Sequence, residues 1–154
     1  MLFRSDHPQP QAPRHFGMGL ILDSSVLIAG ERRGETVKHV LERIRATFGE
    51  TESALSAISV IELTHDIYRA KANSDRVRRR AFTEELTRDM IVHPLSLAIA
   101  QLAGRIKGEQ AAQGVSIATE DLVIGATALH LGFDVATLNV RHFQRIPGLK
   151  VLQL

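Results

Sequence analysis

The aliphatic run Gly19-Leu20-Ile21-Leu22 ends abruptly on an acid, Asp23, followed by Ser24, Ser25 and a second apolar run, Val26-Leu27-Ile28-Ala29. Three consecutive bulky aliphatics fit a strand covered on both faces, as in a parallel sheet. Ser24 and Ser25 carry hydroxyls suited to starting a helix. A carboxylate at the carboxyl end of such a strand lies where open α/β sheets bind their ligands. An ionised carboxylate among Leu, Ile and Val costs free energy unless something pairs with it. Asp23 therefore has two readings, a cap for the following turn or a ligand at the sheet edge.

The rest of the chain repeats the alternation. Val37, Val40, Leu41, Ile44 and Phe48 recur at helical spacing between Glu35 and Phe48, and Gly49 closes that helix. Ser53 to Val60 reads as a second strand, with a helix starting near Ser59 and continuing to about Ala72. Ser74 or Asp75 then caps a further helix through Met90. Met90 to Leu95 reads as a third strand, which Pro94 restricts to a short or edge position. Ser96 caps a helix that ends before Gly114, and Leu122 to Leu131 is a buried helix ended by Gly132. Phe133 to Thr137 and Lys150 to Leu154 supply the fourth and fifth strands. The expected fold class is α/β, a three-layer domain with a mainly parallel sheet of four to five strands flanked by helices. That domain spans residues 18–154, and residues 1–17, with Pro8, Pro10 and Pro13, read as a flexible N-terminal extension.

Composition restricts the chemistry. With 154 residues, 44% hydrophobic and 23% charged, the chain suits one globular domain with a continuous core. It has no cysteine, which excludes disulfides, zinc-thiolate sites and cysteine nucleophiles, and fits a cytoplasmic protein. The uncharged stretch from Met90 to Gly104 contains Pro94 and does not read as a membrane span, and residues 1–17 lack a signal-peptide core. A net charge of +2 neither demands nor forbids a nucleic-acid partner.

Three further polar residues fall at element ends. Ser59 and Glu62 have capping-box spacing, so Glu62 can serve a helix start, a site beyond the second strand, or both. Asp121 stands before the apolar helix, where an acid favours the positive helix end, although Glu120 could do that equally well. Asn139 ends the fourth strand, a common place for a turn-forming Asn. Together, Asp23, Glu62, Asp121 and Asn139 all fall at the ligand edge of an α/β sheet. If the acids converge, each like-charge pair about 4 Å apart costs about 4 kcal/mol at an effective dielectric of about 20. A divalent cation removes that repulsion, and all-oxygen ligation favours Mg2+ or Mn2+ over zinc.

At these residues the sequence resembles the PIN-domain family, specifically the VapC-type toxins of toxin–antitoxin pairs. Leu22-Asp23-Ser24-Ser25-Val26-Leu27-Ile28 resembles the first acidic motif, and Ser56 through Leu63 with Thr64-His65 and Tyr68-Arg69-Ala70 the second. Glu120-Asp121-Leu122-Val123-Ile124-Gly125-Ala126-Thr127-Ala128-Leu129 resembles the third, and Thr137-Leu138-Asn139-Val140-Arg141-His142-Phe143 with Ile146 to Leu149 the fourth. The resemblance implies a magnesium- or manganese-dependent endoribonuclease. Asp23 and Asp121 would hold the cation, Glu62 would orient or deprotonate the attacking water, and Asn139 would hold a water of the cation or a substrate oxygen. It also implies an RNA substrate, a small VapB-like antitoxin and a homodimer. Two departures stand out: Asn139 replaces a common Asp, which bears on a second metal position, and Asp66 replaces a small residue and is expected to face solvent.

Other residues carry less. Ser25 and Thr137 suit positioning of water or phosphate, or simple capping. Arg141 and His142 suit RNA phosphates or a solvated surface. His65 and His130 have no partner at metal-ligand spacing, and His130 is expected to pack at a helix end. The run Arg76-Val77-Arg78-Arg79-Arg80 wraps around its helix and reads as a solvated face. A solitary RNA-processing nuclease and a non-catalytic RNA- or protein-binding module are the alternatives.

Overall fold

The computed structural model describes residues 18–154; the expected N-terminal extension, residues 1–17, lies outside the described residues. In chain order the elements are β1 (Gly19–Leu22), α1 (Ser24–Arg32), α2 (Val37–Phe48), β2 (Glu52–Ser56), α3 (Ala57–Arg69) and α4 (Asn73–Asp89). Then follow β3 (Ile91–His93), α5 (Leu97–Ala112), α6 (Thr119–Leu131), β4 (Asp134–Thr137), α7 (Val140–Phe143) and β5 (Val151–Gln153). The five strands are all parallel, in the order β3-β2-β1-β4-β5.

Strand alternation explains the layers. Side chains on successive strand residues point to opposite faces. Leu20 and Leu22 pack with Val26, Leu27, Val40, Ile44, Leu55 and Leu86 on one face of the sheet. Ile21, between them, packs with Ala54, Val135, Ile99, Ile106, Leu122 and Phe143 on the other. Both faces of β1 are therefore covered, and the three-layer α/β expectation holds. α6 is apolar all round because it lies between this sheet face and α5, with α3 and α7 also against it. Gly125 permits that packing: a Cβ there would stand 2.5 Å from Ile146 Cδ1. Gly132 ends α6 in the left-handed conformation, φ 70°, which only glycine adopts without strain. Ser96 caps α5 as expected, its hydroxyl accepting from Ile99 N at 3.2 Å. β3 is a three-residue edge strand ending before Pro94. Among the described residues no helix is long and apolar enough to cross a membrane.

Several expectations are corrected. β2 stops at Ser56, and Ser56, not Ser59, caps α3 by accepting from Ile58 N. Ser59 is already the third residue of the helix and buried, so the Ser59–Glu62 capping box does not form. Ala72 occupies the N-cap of α4, and neither Ser74 nor Asp75 caps it; Asp75 instead accepts from Arg78. Asp66 does not face solvent. It is buried and paired with Arg32 at 2.8 Å and Arg79 at 3.6 Å. The arginine run is not simply a solvated face either. Arg78 and Arg79 both reach buried Glu31 of α1, Arg79 also donates to Asp66 O, and Arg76 donates to Ala70 O. His130 is exposed rather than packed.

Candidate functional site

The strand order reverses direction at β1. The chain leaves β1 for β2 on one side, and later places β4 on the other. The carboxyl ends of β1 and β4 thus flank the crevice at which open parallel sheets bind ligands. Asp23 follows β1 directly, and its N–H donates to Ala136 O of β4 at 2.9 Å. Its backbone occupies the N-cap position of α1, yet its side chain makes no capping bond. Instead Oδ2 accepts from Ser25 Oγ at 2.7 Å and from Thr137 Oγ1 at 2.8 Å. Of the two readings of Asp23, the helix cap is the one its side chain does not perform.

Those hydroxyls are themselves held from behind. Leu138 N donates to Ser25 Oγ at 3.2 Å, and Asn139 N donates to Thr137 Oγ1 at 2.9 Å. Two relays therefore run from the β4–α7 turn to one carboxylate oxygen. Each spends a hydroxyl proton on an ionised acceptor, the stronger class of hydrogen bond. Ser25 and Thr137 orient Asp23 in this way; both hydroxyl protons are already committed to it. Asn139 makes no side-chain cap bond to α7, and its side chain is exposed at the end of β4.

Glu62 arrives from the second turn of α3. Its Oε2 accepts from the buried Ser24 Oγ, which ties α3 to the start of α1. Glu120 and Asp121 both lie in the first turn of α6. Glu120 is the residue that local sequence patterns missed, because beside Asp121 it reads as a second acid favouring the helix dipole. A hydrogen bond with Glu62 pushes its carboxyl up to about 7, helped by partial burial and by the charges of Glu62, Asp121 and Asp23. Asp121 is also raised, first by burial, with Asp23 and Glu62 adding and the nearby His142 opposing. His142 Nδ1 stands 3.6 Å from Asp121 Oδ2. The fold thus brings Asp23, Glu62, Glu120 and Asp121 into one electrostatic neighbourhood, with Asn139 at its rim.

This donor set suits a hard divalent cation. Every donor is oxygen, and the acidic charges that add to the Glu62 hydrogen bond and to burial in raising Glu120 are what a cation would offset. Among the described residues no three acidic or imidazole groups already converge on one point. Mg2+ commonly keeps several waters and uses only one or two carboxylates, so a site of this kind needs no more than two protein ligands.

A PIN domain family model matches residues 20–149. Ribonuclease VapC1 of Rickettsia felis is 33% identical over 135 residues, spanning 88% of this chain and 96% of that protein. The tRNA(fMet)-specific endonuclease VapC of Salmonella typhimurium is 32% identical over 116 residues, spanning 75% and 87%. Among solved structures, VapBC-1 from nontypeable Haemophilus influenzae superposes with a TM-score of 0.72 at 25% identity, covering 88% of this chain and 98% of that one. VapBC2 from Rickettsia felis, bound to a promoter DNA fragment, matches in fold with a TM-score of 0.74 at 18% identity, covering 89% and 99%. The sequence, the parallel sheet and the acids at its switch point lead to one assignment: the chain belongs to the PIN domain family, among the VapC-type proteins.

Proposed function

We propose that this protein is a metal-dependent endoribonuclease and the toxin of a toxin–antitoxin pair. The observation that carries the reading is the gathering of Asp23, Glu62, Glu120 and Asp121 at the β1/β4 crevice, where a hydrogen bond to Glu62, burial and then the neighbouring acidic charges raise Glu120 to about 7. Asp23 and Asp121 would hold Mg2+ or Mn2+. When bound, the cation supplies Lewis-acid stabilisation of the charge that develops on the phosphodiester and lowers the pKa of water. Glu62 takes the proton of the attacking water at its carboxylate, which Ser24 Oγ keeps in one orientation. Glu120 is hydrogen-bonded to Glu62 and so helps to position that carboxylate. Asn139 offers an amide at the rim to a substrate oxygen, with no charge of its own.

A small VapB-like antitoxin is proposed as partner, supported by relatives whose solved structures carry the names of toxin–antitoxin complexes. A small open reading frame beside the gene, whose product co-purifies with this chain and blocks its activity, is expected; a solitary nuclease would have neither. The activity itself is tested by RNA cleavage with Mg2+ or Mn2+, with EDTA, and with Asp121→Asn. Cleavage is expected in the wild type with metal and a loss of at least about 100-fold in the variant, the scale of losing an electrostatic stabiliser. Full activity in EDTA, or an equally active variant, would sink the mechanism.

A further inference from the structure

Beside Asp121 opens a groove of about 400 Å3, walled by Ser116, Ala118, Asp121, Arg141, His142 and Arg145. Asp121 is the single acid on those walls, which also carry three basic side chains, Arg141, His142 and Arg145. The groove continues past Ser116 and Ile117 into a second cavity of about 220 Å3, where Lys107 lines the wall.

The arginines here differ from most others in the chain. Arg32, Arg78, Arg88 and Arg105 each face an acid. Arg141 and Arg145 have no acidic side-chain partner among the described residues. Arg145 Nη1 donates to Ser116 O at 3.2 Å, which fixes its guanidinium at the rim while using one of five N–H donors. Unneutralised guanidinium groups on a groove wall are receptors for an anion that arrives with the substrate. A phosphodiester approaching the four carboxylates is repelled by them, and cations along its path offset that repulsion.

We infer that this groove is the track of the RNA backbone on one side of the scissile phosphate, with Arg141 and Arg145 binding consecutive phosphates and Lys107 extending the path. The inference rests on the ribonuclease reading and adds to it where the substrate lies. Contacts of this kind set register and affinity without reading base sequence.

The test is the salt dependence of binding of a fluorescein-labelled single-stranded RNA, by anisotropy in EDTA from about 50 to about 200 mM NaCl. Each phosphate contact contributes about 0.7 to the slope of log affinity against log salt for a single strand. Arg141→Ala and Arg145→Ala are each expected to reduce the slope by about 0.7 and to weaken binding alike for unrelated RNA sequences. Arg141→Lys keeps the charge and should keep the slope. Arg80→Ala, on the exposed side of α4, is the control and should match the wild type. Unchanged slopes in both alanine variants, or an equal loss in Arg80→Ala, overturn the inference. Because binding is read in EDTA, the outcome is separable from catalysis. Unchanged slopes in a protein that cleaves RNA defeat the groove alone, and reduced slopes in a protein that never cleaves leave the groove and defeat the nuclease reading.

Discussion

Thr137 and Ser25 donate to the same oxygen of Asp23, and the backbone of the next turn donates to each of them. That oxygen of Asp23 thus meets two hydroxyl donors. Glu120 is in the opposite situation: its neighbours are acids, and it holds its proton up to about 7, against an ordinary value of 4.5. A carboxyl raised in the folded state stabilises the fold least where it must ionise. The contribution of Glu120 to the stability of the metal-free protein is therefore expected to be full below about pH 4.5 and to be lost as pH rises from there through about 7. The raised Asp121 acts in the same direction. The urea midpoint should decline across that window in EDTA, and Glu120→Gln should flatten the decline; an identical slope in the variant would refute this role. Glu120 was visible in the sequence only as a dipole-compatible acid. Its proton affinity depends on Glu62, which is distant in the chain.

At the level of elements, α4 is joined to α1 and α3 by charge as well as by apolar packing. Glu31 and Asp66 are both buried, and Arg79, with a side chain only 17% exposed, stands between them. Removing one member of a buried ionic cluster leaves the others uncompensated, at about 3–5 kcal/mol. Arg79→Ala should cost that much, a fall in Tm of roughly 6–20 °C for a chain of this size. Calorimetry checks it, and a change below about 1 kcal/mol would mean that Arg32 and Arg78 satisfy both acids alone. No local pattern distinguishes these arginines from solvated ones, since burial is conferred by helices that are far apart in sequence. The start of α3 shows the same limit. Ser56 and Ser59 are both acceptable caps, and the end of the β2 ladder, paired through Ser56 to His93, selects the first.

For the whole molecule, the strand order decides where chemistry can occur. Placing β4 beside β1 brings the end of one strand and the turn after the other to a single crevice, and α3 and α6 enter it with their acids. Repulsion among those acids is a cost to the fold that a cation relieves. Mg2+ or Mn2+ at about 100 times its Kd should stabilise the protein by about 2.7 kcal/mol. That is a rise in Tm of roughly 5–10 °C, larger above about pH 7 than below it. Asp23→Asn should abolish the shift. An equal shift in Asp23→Asn would remove Asp23 from the ligand set.

The sequence alone determined the three-layer α/β class, because apolar runs, helical periodicity, Ser96 and Gly132 act through near neighbours in the chain. It also carried the acidic motifs at Asp23, Glu62 and Asp121, whose residue types and order are local facts. Only the tertiary structure decided that Asp23 takes its hydrogen bonds from Ser25 and Thr137, that Asp66 is buried between arginines, and that Glu120 joins the site. Burial and like-charge proximity arise between segments distant in sequence, and no short-range pattern records them.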